Sequence, residues 1–146
     1  MKESIKIFDL TKKIKNLSKE INRDVINILR SGQYILGKNV HQLENAFTKF
    51  LNVKYAVSCN SGTDALILSL RASKIGKNDE VIHPAISFIA TTGSITHVGA
   101  KPVFSEVLKN GLLDPDKLVS KITSKTKAIM PVHWSGKICD MEKIIE

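Results

Sequence analysis

The chain has 146 residues, 42% hydrophobic and 25% charged, enough for one ordinary domain with a core and too apolar for a disordered chain. No apolar run approaches the roughly 20 residues that cross a bilayer, and Met1-Lys2-Glu3-Ser4-Ile5-Lys6 lacks the apolar stretch of a secretion signal, so a cytoplasmic protein is expected. The formal charge of +8 would draw acidic partners, but only Arg23, Arg30 and Arg71 are arginines and the lysines are scattered without interleaved aromatics, which argues for a solvated face and against nucleic acid.

Ile14, Leu17, Ile21, Val25, Ile28 and Leu29 recur at helical spacing and predict an amphipathic helix closed by Gly32. A glycine-bracketed loop, Ser31 to Gly37, leads to a second helix with Val40, Leu43, Phe47, Phe50 and Leu51 on one face. Strands and helices then alternate. A buried strand is expected over 54–59, with Cys59 as a small core residue, followed by a helix over 62–74. A short strand over 80–83 stops at Pro84, and Ser87 is placed to cap a helix over 88–97. A strand over 102–104 precedes Asp114-Pro115, a cap and first-turn proline that open a helix to about Lys121. A strand over 127–132 follows, and Asp140 caps a last helix. This alternation means an α/β fold with a mostly parallel sheet and flanking helices.

In such sheets ligands bind beyond the carboxyl ends of the strands. Asn60-Ser61-Gly62-Thr63-Asp64, Pro84 to Phe88 and His133 to Gly136 all follow strands and so share that edge. The first of these is a small, hydroxyl-rich turn at a helix start, where unpaired amides and the helix dipole favour an anion. A simple cap by Ser61 or Thr63 is the commoner use of such a turn. His83, His97 and His133 share no ligand spacing, so no metal is expected.

Several segments, taken together and in order, carry a family likeness. They are Gly32-Gln33-Tyr34-Ile35-Leu36-Gly37, Asn60 to Leu66, Gly76 to Pro84, Ser87-Phe88-Ile89-Ala90-Thr91, Gly99 to Phe104, and Lys125 to Met141. The series resembles the DegT/DnrJ/StrS family of nucleotide-sugar aminotransferases, collinearly from residue 5 onward. The resemblance implies pyridoxal 5'-phosphate bound on the fold of the aspartate aminotransferases. Residues 1–38 would be an amino-terminal helix and active-site loop, and 39–146 an incomplete cofactor-binding large domain, with the small carboxyl-terminal domain absent. The turn matching Gly62, Thr63 and Asp64 would hold the cofactor phosphate, and Phe88 would stack on the pyridine ring. Tyr34 matches an aromatic near the active site of the family's homodimer, with a loop anchor as its other reading. His133 sits at the ligand edge as a substrate contact or a hydrogen-bonded structural histidine.

Transamination by this route needs a Schiff-base lysine and a carboxylate on the pyridine nitrogen. In the family both lie beyond the segment matching Asp140-Met141, so no catalytic lysine is assigned. The chain is therefore expected to be the amino-terminal part of a longer enzyme and inactive alone. The parent would move an amino group from glutamate or glutamine to a keto nucleotide-deoxysugar for glycan or antibiotic-sugar biosynthesis, without nucleic-acid or membrane partners. A sugar dehydratase of the same family and a non-catalytic partner subunit are the alternatives.

Overall fold

The computed structural model describes Ile7 and residues 9–146. The charged opening of the chain and the start of the 1–38 segment lie outside the described residues. The chain divides into two compact units, Met1–Ser58 and Cys59–Glu146.

In the first unit, the predicted apolar stripe forms α1 (Thr11–Ser31), and Gly32 ends it in the left-handed region with its N–H on the Leu29 carbonyl. Helix α2 (Lys38–Leu51) ends the same way at Asn52, with φ 51°. Ile14, Leu17, Ile21, Val25 and Leu29 of α1 remain exposed, as do Leu43, Phe47 and Phe50 of α2.

Residues 54–59 correct the sequence reading: they form no strand, and Tyr55 and Val57 are exposed. A strand exists only through a partner ladder, and none pairs with this segment among the described residues. Instead the Ser58 amide and hydroxyl both donate to Glu44 Oε1, at 2.9 and 2.8 Å. Those bonds, the amide's first, hold the Glu44 carboxyl below its usual range. Cys59 is likewise exposed and not a core residue, because the strand that was to bury it is not formed.

The second unit begins with α3 (Gly62–Ala72), followed by β1 (Glu80–Pro84), α4 (Ile89–His97), β2 (Lys101–Ser105) and β3 (Thr126–Ile129), and closes with α5 (Met141–Ile145). The strands form one parallel sheet in the order β2-β1-β3, with Ile82 opposite Val103 and Ile129. All five residues of the central β1 are buried. Its alternation splits the core in two. Val81 joins Leu70, Ile75, Ile95 and Ala100 beneath α3 and α4. Ile82 joins Leu112, Leu113, Leu118 and Cys139 on the other face, with Met141 and Ile144 of α5 against them. Each of the valine, leucine and isoleucine side chains contributes roughly 1.5–3 kcal/mol on burial, so β1 is the strand the unit can least lose.

Two further expectations are corrected. The N-cap of α4 is Phe88, without a side-chain cap, because the helix begins at Ile89, and the Ser87 and Thr91 hydroxyls share a hydrogen bond at 2.6 Å. The helix expected after Asp114 is two short 3-10 turns, Pro115–Lys117 and Val119–Lys121, with Asp114 capping the first. Leu118 is drawn into the core between them, which breaks the run.

Candidate functional site

The geometry of α3 and α4 follows from their ends. Helix α4 starts four residues beyond β1 and runs back to β2, while α3 runs back to the start of β1. Their last turns meet at Leu70, Ile75, Ile95 and Ala100, and the two helices pack on each other. Both therefore begin at the carboxyl edge of the sheet, where the loops after β1 and β3 also start.

At the head of α3, Ser61 is extended and its Oγ accepts the Asp64 amide at 3.1 Å, while its hydroxyl donates to Asp64 Oδ2 at 2.8 Å. This is a serine N-cap whose hydroxyl proton is in turn held by the Asp64 carboxylate. It commits the Asp64 amide and carboxylate to closing the turn. The amides of Gly62 and Thr63 and the Thr63 hydroxyl make no hydrogen bond among the described residues. A Cβ placed on Gly62 would meet nothing beyond its neighbours and its own helix within 4 Å, so no other part of the chain packs on the turn there. Two amides, one hydroxyl and the positive end of an 11-residue helix suit a phosphate monoester.

Phe88 stands immediately before α4, 70% exposed, with its carbonyl accepting the Thr91 amide at 3.0 Å. Most of this residue's surface is thus uncovered, which leaves apolar ring area for stacking.

His133 is exposed beyond β3, and its Nδ1 accepts the Cys139 amide at 3.1 Å. The neutral ring thus carries its proton on Nε2, as a donor. Tyr34 lies in the first unit, where its hydroxyl donates to the Leu29 carbonyl at 2.9 Å and satisfies the last turn of α1. There it anchors its loop and lines an open depression of about 510 Å³ formed by residues 32–38.

The sequence assigns no role to two residues at the carboxyl edge. His83 is 1% exposed, and burial holds its imidazole below the ordinary value. Trp134 lies against Gly111. At the opposite edge Glu80 accepts from Thr123 Oγ1 at 2.6 Å and from Lys101 Nζ at 2.9 Å, and these bonds keep its carboxyl low. Among the described residues, no group of His, Cys, Asp and Glu could hold a metal ion, and no helix is long and apolar enough to cross a membrane.

The DegT/DnrJ/EryC1/StrS aminotransferase family matches residues 15–146. The chain is 43% identical over 141 residues to a dTDP-3-amino-3,6-dideoxy-alpha-D-galactopyranose transaminase of Aneurinibacillus thermoaerophilus, covering 96% of this chain and 39% of that protein. The structure of S. venezuelae DesV in complex with a ketimine intermediate superposes with a TM-score of 0.93 at 35% identity, covering 97% of this chain and 38% of that one. NtdA from Bacillus subtilis with bound cofactor PMP gives a TM-score of 0.89 at 32% identity, covering 98% and 34%. The chain thus spans less than two fifths of the length of each of these proteins.

Proposed function

Because the chain belongs to the DegT/DnrJ/EryC1/StrS aminotransferase family, we propose that the protein containing it transfers an amino group from glutamate or glutamine to a keto group on a nucleotide-linked deoxysugar. Pyridoxal 5'-phosphate is the family's cofactor, and when bound it supplies an electron sink and a carrier for the amino group. The observation that carries the reading is the set of free donors at the head of α3.

The residues divide the work. Gly62 and Thr63 bind the phosphate through amides and hydroxyl, and Asp64 holds their turn shut through Ser61. Phe88 fixes the plane of the heterocycle and keeps water from one face. His133 offers Nε2–H to an oxygen of the substrate. Tyr34 is assigned as a substrate contact of a cytoplasmic homodimer, a role that rests on the family likeness alone. Residues 1–38 act as helix and active-site loop, and 39–146 as part of the cofactor-binding large domain.

Equilibrium dialysis against pyridoxal phosphate tests this. Thr63→Val and Phe88→Leu are each expected to weaken retention by roughly tenfold, the scale of one hydrogen bond to a charged group or one aromatic contact. A wild-type protein that binds no cofactor, or variants that bind as well as it does, would falsify the reading.

A further inference from the structure

We propose that His83 is a positioning residue for Phe88: its buried imidazole fixes the peptide unit from which the loop 85–88 springs, setting the aromatic platform before any cofactor arrives. The inference rests on the role given above to Phe88.

The peptide joining Pro84 to Ala85 is gripped at both ends. His83 Nδ1 lies 3.0 Å from its carbonyl oxygen, and its N–H donates to the Ser105 carbonyl at 3.1 Å. A carbonyl only accepts, so Nδ1 carries the proton, and Nε2 presents a lone pair to the Thr92 hydroxyl at 3.5 Å, a long contact. Phe104 of β2 meets the ring edge-on, with centroids 4.5 Å apart at 60°, and blocks its rotation. Because the peptide is planar, holding its oxygen and its nitrogen fixes the direction in which the chain leaves β1. The far end of the loop is tied by Ser87 to Thr91 and by the Thr91 amide to the Phe88 carbonyl. Residues 85–88 are thus a short span clamped at both ends, and His83 supplies the clamp on the strand side.

Packing alone does not need a histidine here. A leucine of similar size would fill the hole, but it would leave the buried Pro84 carbonyl without its donor. What leucine cannot do is hold the Pro84 oxygen.

The test follows amide exchange by NMR without cofactor, reading Ala85 and Thr91 at the two ends of the loop and Ile82 as a control in β1. In His83→Leu, exchange at Ala85 is expected to rise roughly tenfold while Ile82 keeps its protection. His83→Asn places an amide donor where Nδ1 stood and is expected to recover most of the loss. Thr92→Val, which leaves the Pro84 bond intact, is expected to show a smaller rise and serves if the leucine variant does not fold. Unchanged exchange at Ala85 in His83→Leu, asparagine no nearer to wild type than leucine, or a valine effect as large as the leucine one overturns the inference. Dialysis of the wild type against pyridoxal phosphate judges the cofactor reading separately, since absent binding there leaves the exchange result standing.

Discussion

The Trp134 indole lies over Gly111 so closely that a Cβ added to the glycine would sit 2.8 Å from Trp134 Cδ1. Gly111 also has a φ of +83°, so a side chain there is strained by the backbone and by the ring together. Gly111→Ala is expected to cost about 1–3 kcal/mol. Trp134 is the only tryptophan of the chain, so its emission reports the displacement directly, and denaturant unfolding gives the cost. A variant with unmoved emission and an unchanged midpoint would show that the contact does not constrain the loop.

The two hydroxyls at the head of α3 should separate cleanly. Ser61 Oγ serves the Asp64 amide, so Ser61→Ala is expected to lose about 1 kcal/mol of stability. The Thr63 hydroxyl has no partner among the described residues, so Thr63→Val is expected to stay within about 0.5 kcal/mol. Thermal unfolding without cofactor measures both, and equal losses would mean that Thr63 has an internal partner.

Acid should weaken the second unit in two stages. The imidazole of His83 is held below its ordinary 6.5 by burial, so below that pH the unfolded chain takes up a proton that the folded chain resists. Its contribution is complete above 6.5 and falls as pH drops through the folded value. Glu80 is held below 4.5 by Thr123 and then Lys101, so its contribution is present above 4.5 and is lost at still lower pH. Unfolding midpoints followed from pH 8 to 3 are expected to begin falling near 6.5, and His83→Leu should delay the fall to the carboxylate range. A first decline that survives His83→Leu unchanged belongs to another group.

The hydroxyl of Ser105 is buried at the end of β2 with no hydrogen-bond partner among the described residues. Ser105→Ala removes that unsatisfied group and leaves the backbone bond to Ala85 in place. It is expected to be neutral or stabilising by up to about 1 kcal/mol, measured by urea unfolding. A clear loss would point to a bound water that the hydroxyl serves.

How much of this could be read beforehand depended on whether a feature is local. The stripe from Ile14 to Leu29, the Gly32 stop and the Asp140 cap are short-range patterns, and each appears where the spacing put it. The apolar runs at 80–83 and 102–104 lie within Glu80–Pro84 and Lys101–Ser105, but the one expected over 127–132 is a strand only over Thr126–Ile129, so Met130 to Val132 correct the reading; of the three only β1 is buried throughout. Residues 54–59 carry the same signal and failed, because composition does not say whether a partner is present. Ser87 lies one residue before the cap position, a shift of a kind that sequence patterns resolve poorly at helix ends. His83 could not be found by pairing ligands, since what it holds is a backbone carbonyl. Gly111 and Trp134 are 23 residues apart and meet only after β3 has joined the sheet.

The sheet has a built-in direction of growth. Strand β2 forms one margin and contains Pro102, which has no hydrogen to give, so nothing can pair regularly outside it. The other margin, Thr126 to Ile129, has no such stopper. The flank of β3 is therefore the margin that leaves a regular ladder open to a further strand.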